Sequence, residues 1–153
     1  MLFLLFHLGA ERYALEAAQV AEVVPLLHIK PLPQAPPGVA GVFNHRGAAV
    51  PVIDLTALAL GRPSAVRLST RIVLVHYRDA QGRDRLLGVI AEKVTETVRR
   101  EPGDFVDPGI TNPATPYLGP VAADPHGMIQ WVDIARLLPD SMREMLFQEA
   151  SKP

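Results

Sequence analysis

The sequence predicts an almost all-β fold of two similar small barrels packed together, followed by a C-terminal helix. The 153 residues include 15 prolines and 11 glycines, above the roughly 12% of an average chain, which favours short strands joined by turns. Runs of valine, leucine and isoleucine recur between these turns. In addition, two sequence motifs occur twice in the same order, which indicates two similar halves.

The first repeated motif is ALEAAQVAEVV, which returns as GVIAEKVTETV. The Val-x-Glu of Val20 and Glu22 then corresponds to a second one that begins at Val94. The other motif, VPVIDLTALAL, returns as MIQWVDIARLL, with Asp54 corresponding to Asp133. Each half therefore consists of a hairpin, a Val-x-Glu segment, a loop, a second hairpin and a short helix, and one loop insertion explains the slightly different spacing.

Strands are expected where apolar residues run or alternate between turn residues. EAAQVAEVV can contain one helical turn or continue as a strand. KPLPQAPPG must be a loop, because its prolines lack ladder donors, and we expect the chain to cross between barrels in the connector near 61–70. The predicted strands and hairpins are Leu2–Leu8, Tyr13–Val24, Gly41–Ile53, Ile72–Tyr77, Arg85–Ile90, Tyr117–Ala122 and Met128–Val132.

Short helices are predicted where an aspartate precedes an apolar run, because its carboxylate accepts hydrogen bonds from the first free N–H groups of a helix. Asp54 and Asp133 stand in this position. Near the C-terminus, PDSMREMLFQEA has apolar residues at i, i+3 and i+4 and predicts a helix and tail over 139–153, starting at Asp140 or Ser141.

Composition argues against several classes of protein. A net charge of -1 does not suit binding to nucleic acid, whose footprint is a basic face. The absence of cysteine excludes disulfides and thiolate chemistry and permits a cytoplasmic location. The N-terminal MLFLLFHLG lacks a basic n-region and is too short to span a membrane; we interpret it as a first strand and expect no direct membrane insertion.

No constellation typical of catalysis or metal binding stands out. The four serines lie in predicted loops or the tail, without a G-x-S-x-G context, and no glycine-rich phosphate loop is present. We therefore expect no enzyme activity, cofactor or metal. A small barrel that binds nucleic acid or a ligand, and an uncharacterised enzyme, remain the alternatives. Five histidines show no metal-ligand spacing: His7, His28, His45, His76 and His126.

The stretch GVFNHRGAAVPVIDL, residues 41–55, interrupts an apolar run with a polar turn. Gly47 supplies the positive φ that a tight hairpin needs, and the Asn44 side chain is expected to bond the turn's own backbone. Pro51 lacks a ladder donor, so its strand is expected at a sheet edge. Arg46 is either a solvated turn residue or an interface anchor, because a guanidinium makes several hydrogen bonds at once.

This hairpin resembles the signature of CheW-like domains, the adaptors of bacterial chemosensory arrays, in which a G-V-x-N-x-R-G turn precedes an apolar run ending in a V-I-D-L-type segment. FHLGAERYALEAAQVAEVV resembles the opening strands of the family, and LLGVIAEKVTETV resembles its G-[LIV]-[LIV]-V-D-x-V-x-E/D-V stretch. YLGPVAADPHGMIQWVDIARLL resembles its closing hairpin and Asp-led helix. The resemblance covers roughly Phe3 to Leu138. Two positions depart from the pattern: His45 replaces an apolar residue, and Glu92 replaces an aspartate.

The resemblance implies a fold of two five-stranded SH3-like barrels around a shared apolar core, with one CheW-like domain over 1–153. It implies a non-catalytic adaptor that binds the cytoplasmic tip of a chemoreceptor and the regulatory domain of a CheA-type histidine kinase. The protein would be cytoplasmic and recruited to membrane-associated receptor arrays.

The chain contains no kinase module and so resembles a free adaptor. Its short tail and trimmed loops also suit an accessory adaptor of a Wsp-type surface-sensing system. Val20 could pack in the buried core instead of contacting the receptor. The residues that the resemblance assigns to receptor binding are Val20, Glu22, Asn44, Arg46 and Gly47.

Overall fold

A computed structural model describes residues 1–147, which form nine strands and two α-helices. The strands are β1 (Leu2–Leu8), β2 (Glu11–Glu16), β3 (Val20–Pro25), β4 (Val39–His45), β5 (Ala48–Asp54), β6 (Arg71–Arg78), β7 (Asp84–Arg99), β8 (Leu118–Asp124) and β9 (Gly127–Val132). The helices are α1 (Leu55–Leu60) and α2 (Asp140–Leu146), and short 3₁₀ turns cover Ala17–Gln19, Pro102–Asp104 and Ile134–Arg136. The predicted mainly β fold is confirmed.

The strands form two five-stranded sheets that share β7 and have the same internal order. One sheet has the order β3-β6-β7-β5-β4, and the other has the order β7-β1-β2-β9-β8. In each sheet a parallel pairing joins the two hairpins, β5 with β7 and β2 with β9. The repeated motifs therefore correspond to structurally equivalent elements.

The predicted crossover near 61–70 is wrong. Strands β4 and β5 before this segment and β6 after it belong to the same sheet. The chain instead changes sheets at the 3₁₀ turn Ala17–Gln19 and again within β7, whose first half pairs with β6 and whose second half pairs with β1. Each repeat thus contributes its first hairpin to the sheet of the other repeat, a long-range pairing that the local pattern does not encode.

The change of sheet within β7 occurs at Glu92 and Lys93. Lys93 has φ +48, a left-handed conformation that is uncommon for a residue with a Cβ. The pairing of β1 with β7 also shifts register between Leu5 and His7, opposite this point. The sixteen-residue strand can therefore bend and serve both sheets.

A shared apolar core joins the two sheets. Its largest cluster contains Leu4, Phe6 and Leu8 of β1 together with Val73 and Val75 of β6, all buried. Each sheet also has a smaller cluster of its own, one around Phe43 and Ile72 and one around Phe3 and Ile129. The core therefore packs the two sheets against one another.

The predicted helix starts are confirmed where the structure describes them. Asp54 Oδ1 accepts hydrogen bonds from the N–H groups of Thr56 and Ala57 at 3.1 and 3.3 Å, as an N-cap does. Asp133 caps a 3₁₀ turn rather than an α-helix. The C-terminal helix begins at Asp140, and the part of the predicted tail over 148–153 lies outside the described residues.

Pro51 does not lie in an edge strand, contrary to the prediction, because β5 pairs with β4 on one side and β7 on the other. The ladder with β7 covers only Val52, Ile53 and Asp54. Pro51 precedes this ladder, so its missing N–H removes no hydrogen bond to β7.

Candidate partner-binding surface

The β4–β5 hairpin ends in a two-residue turn made by Arg46 and Gly47. Their φ angles are +53 and +86, the pair of positive values that a type I′ hairpin turn requires. The Asn44 side chain accepts a hydrogen bond from the Gly47 N–H at 2.8 Å. The turn conformation and this hydrogen bond fix the direction in which the Arg46 side chain projects from the hairpin.

Arg46 contacts a second residue that the resemblance selects. Its Nη2 donates to Glu22 Oε1 of β3 at 3.0 Å, although the two residues are 24 positions apart in sequence. The Arg46 side chain is 77% exposed and that of Glu22 is 36% exposed. Such an accessible ion pair contributes little to stability, so both groups remain free to contact a partner.

Val20 lies on the same strand but has a different environment. It is half-buried, packs against the shared core, and pairs with Val75 of β6. A register shift separates it from Glu22, and β3 pairs with β6 alone among the described strands. Strands β3 and β4 form the two opposite edges of their five-stranded sheet. The Arg46–Glu22 contact brings these edges together, so Glu22 lies beside the turn of Asn44, Arg46 and Gly47, and Val20 supports β3 from the core side.

A groove beside the hairpin contains residues that sequence analysis did not select. Its volume is about 630 Å³, and Leu27, Lys30 and Phe43 line it together with Asn44 and Gly47. Leu27 is an exposed large apolar residue. A leucine next to the proline-rich loop is a weak signal, because single exposed apolar residues are common on protein surfaces.

Gly41 allows this groove to form. Its φ is +141, and a Cβ at this position would lie 2.0 Å from the backbone oxygen of Lys30. That close approach lets Lys30 and Val42 exchange two backbone hydrogen bonds of 2.8 and 2.9 Å. The segment after β3 is thereby held against β4.

The two positions that depart from the family pattern have distinct roles. The His45 ring packs beside Phe43 with centroids 5.8 Å apart. Glu92 is buried away from the hairpin, where its carboxylate accepts hydrogen bonds from the N–H groups of Gly9 and Ala65 at 3.1 and 2.6 Å. Burial raises the Glu92 pKa, but these hydrogen bonds and the nearby Arg62 outweigh it and hold the pKa below its usual value.

Within residues 1–147, no group of three or more His, Asp or Glu residues is arranged to hold a metal ion. No helix of the described chain is long and apolar enough to cross a membrane.

The comparison with known families decides the classification. Residues 2–142 match the family described as the CheW-like domain. The chain belongs to the CheW-like domain family. The hairpin and the repeated motifs described above lie within the matched residues.

Two relatives and one solved structure illustrate the similarity. The chain is 30% identical over 91 residues to "Chemotaxis protein CheW" of Rhizobium meliloti, covering 60% of this chain and 56% of that protein. It is 27% identical over 143 residues to "Chemotaxis protein CheW" of Klebsiella aerogenes, covering 89% and 80%. The crystal structure of "scaffolding protein TtCheW" from Thermoanaerobacter tengcongensis has a TM-score of 0.80 at 26% identity, covering 95% of this chain and 92% of that one. This likeness confirms the CheW-like fold of two SH3-like barrel subdomains.

Proposed function

We propose that this CheW-like domain is a non-catalytic adaptor that couples a chemoreceptor to a CheA-type histidine kinase in a bacterial signalling array. In this proposal it works without a cofactor, in the cytoplasm, and is recruited to membrane-associated receptor arrays. The cytoplasmic tip of the receptor binds at the surface formed by Glu22, Asn44, Arg46 and Gly47, with Val20 beneath it. The regulatory domain of the kinase binds at a different face.

The observation that carries the proposal is the contact between Arg46 and Glu22. It joins the hairpin turn to the edge of β3, so that residues selected from two separate sequence segments form one surface. The turn fixes the backbone of Arg46 and the contact with Glu22 positions its guanidinium, which lowers the entropy lost when a partner orders the side chain. The adjacent groove adds apolar contact area next to the charged pair.

A reconstitution experiment tests the coupling. The purified protein is mixed with a receptor cytoplasmic fragment and with a kinase regulatory domain, first separately and then together. We expect binding to each, and retention of the kinase domain on the receptor fragment only when this protein is present. Binding to one partner without bridging would contradict the proposal, and a nucleic-acid shift in a parallel assay would favour the small-barrel alternative.

A further inference from the structure

We propose that a pocket at the bend of β7 binds the phosphate group of a small phosphate ester. This pocket, here called the bend pocket, has a volume of about 420 Å³. Three cationic side chains and one carboxylate line it: Arg62, Arg67, Lys93 and Glu92. The bend pocket shares no lining residue with the groove beside the β4–β5 hairpin, so it is separate from the candidate partner-binding surface.

The charges around the bend pocket do not cancel. Glu92 uses both carboxylate oxygens within the fold, because Oε1 accepts from the Gly9 N–H at 3.1 Å and Oε2 accepts from the Ala65 N–H at 2.6 Å. Although burial opposes it, these bonds and the nearby Arg62 and Arg67 lower the Glu92 pKa, so the carboxylate is ionised at neutral pH. Two arginines, one lysine and one glutamate therefore leave an excess of positive charge for a ligand.

Two of the three cations have no partner of their own. Within residues 1–147, the side chains of Arg67 and Lys93 form no hydrogen bond and no ion pair. The remaining cation, Arg62, lies 3.8 Å from Glu92 Oε2, which is beyond hydrogen-bonding distance. Cations that line one pocket repel one another, and an anion bound between them relieves this repulsion.

Backbone contacts fix the walls of the bend pocket relative to one another. The loop that carries both arginines is bonded to β7 on either side of Lys93. Before Lys93, Glu92 accepts from the Ala65 N–H at 2.6 Å. After it, the Val94 N–H donates to the Ser69 carbonyl at 2.9 Å. The cations therefore project from segments that are already ordered, which lowers the entropy lost when a ligand binds.

Two backbone positions with positive φ shape the pocket. Lys93 has φ +48, and strained conformations of this kind cluster at ligand-binding sites. Gly9 has φ +64, and a Cβ built there would lie 3.2 Å from Arg62 Nη2. The glycine therefore lets the guanidinium lie close to the backbone at one wall, while the bend places Lys93 at another.

The lining favours a phosphate group over other anions. A guanidinium presents its N–H groups as a planar fork that matches phosphate, and a lysine adds a point charge. A phosphate monoester carries close to two negative charges at neutral pH, which matches the excess charge of the lining. The volume also falls within the roughly 300 to 1,000 Å³ of small-molecule sites, and the small residues Gly9, Ala10 and Ala65 leave room for the organic part of the ester.

Calorimetric titration of the purified protein tests phosphate binding. AMP and inorganic phosphate are the probes, in a buffer of low ionic strength, and adenosine is the uncharged control. We expect both probes to bind one site per chain with a Kd of about 1 mM or tighter, and adenosine not to bind. Failure of either probe to saturate a site at about 10 mM, or adenosine binding as tightly as AMP, would overturn the proposal.

Variants that remove one charge locate the site. Arg67→Gln and Lys93→Gln should each weaken AMP binding about tenfold, because each loses a charge-assisted contact with the phosphate. Arg99→Gln is the matched control, since Arg99 is also exposed and lies on β7 but does not line the pocket. It should bind AMP as the wild type does. Equal losses in all three variants would assign the binding to net charge alone and overturn the site.

A variant that adds a charge tests the same assignment in the opposite direction. Ala10 is exposed and lines the pocket, so Ala10→Arg adds a fourth cation without disturbing the core. AMP binding should tighten about threefold or more, and an unchanged or weaker affinity would contradict the position of the phosphate. Thermal unfolding of all four variants, followed by circular dichroism, establishes that they are folded.

Discussion

Arg46 and Lys93 both adopt left-handed backbone conformations, with φ values of +53 and +48. Arg46 belongs to a two-residue turn that needs positive φ at both positions. Lys93 lies within a strand, at the bend where β7 passes from one sheet to the other. The left-handed conformation therefore directs the Arg46 side chain outward from the turn, whereas at Lys93 it bends strand β7.

Arg46→Glu should abolish binding to the receptor fragment and leave the fold intact. The change places two carboxylates at the hairpin edge and removes a guanidinium that can contribute about 2 kcal/mol or more to an interface. Because the Arg46 side chain is exposed, the free energy of unfolding should change by less than about 0.5 kcal/mol. Receptor co-sedimentation and the melting temperature measure the two effects.

Two further variants make the Arg46 experiment specific. Arg99→Glu changes an exposed arginine on β7 and should leave receptor binding unaffected. The swap Glu22→Arg with Arg46→Glu restores an ion pair within the protein, but receptor binding should stay lost if Arg46 contacts the receptor directly. Kinase-domain affinity should survive in all of them, and loss of binding together with loss of folding would assign Arg46 a purely structural role.

Lys93→Gly should stabilise the protein by about 0.5 kcal/mol, because relief of the left-handed strain exceeds the entropy that glycine adds to the unfolded chain. Glu96→Gly, in the same strand without a positive φ, should destabilise by about 1 kcal/mol. Urea unfolding midpoints measure both changes. If both glycines destabilise equally, the bend at Lys93 carries no strain.

At the scale of elements, the β4–β5 hairpin depends on two glycines for different reasons. Gly47 needs only a positive φ, since nothing lies within 4 Å of a Cβ built there. Gly41 needs space as well, because the carbonyl oxygen of Lys30 occupies the site of its Cβ. The turn at Gly47 is thus a local feature, whereas the packing of Lys30 against Gly41 depends on the tertiary structure.

Gly47→Ala should cost about 1 to 2 kcal/mol from backbone strain alone. Gly41→Ala should cost more than about 4 kcal/mol or prevent folding, because the backbone of Lys30 must move and two hydrogen bonds are lost. Chemical denaturation of the two purified variants compares them directly. Equal and modest losses would contradict the close approach of Lys30 to Gly41.

At the scale of the whole molecule, two carboxylates with largely covered side chains, those of Asp124 and Glu92, join segments that are distant in sequence. Asp124 at the end of β8 accepts hydrogen bonds from Arg12 of β2 and, at 3.3 Å, from Arg100. The side-chain hydrogen bond from Arg12 is the main cause that lowers the Asp124 pKa to about 2, although burial opposes it. Glu92 joins the two sheets in a similar way through its bonds to Gly9 and Ala65.

Acid should therefore unfold the protein as these carboxylates protonate. A lowered folded-state pKa stabilises at pH values above the unfolded pKa, near 3.8 for Asp124, and this contribution is lost as pH falls towards about 2. Asp124→Asn should reduce stability at pH 7 by about 2 kcal/mol and flatten the decline below pH 4. Urea unfolding from pH 7 to pH 2 measures the free energy of unfolding of each variant, with Asp140→Asn as the control because Asp140 is exposed. If the free energy of unfolding of the wild type and of Asp124→Asn fell in parallel with pH, the prediction would be contradicted.

Sequence alone predicted the candidate surface only in part. Asn44, Arg46 and Gly47 form a turn of adjacent residues, so the sequence pattern was enough to predict it. Glu22 was selected by resemblance, and its contact with Arg46 appears only in the folded chain. Leu27 and Lys30 were missed, because an exposed leucine and a lysine next to a proline-rich loop carry no distinctive local pattern.

The sequence by itself determined the β-rich fold class, the two repeats, the hairpin turns and the aspartate caps at Asp54 and Asp133, because turn chemistry and capping depend on a few neighbouring residues. Only the tertiary structure decided that each repeat contributes its first hairpin to the sheet of the other. It also decided that β5 lies inside a sheet, and that β7 bends at Lys93 to serve both sheets. The physical reason is that strand pairing is chosen by hydrogen bonds and shared apolar burial between distant segments, whereas alternation along a strand reports only that one face is buried.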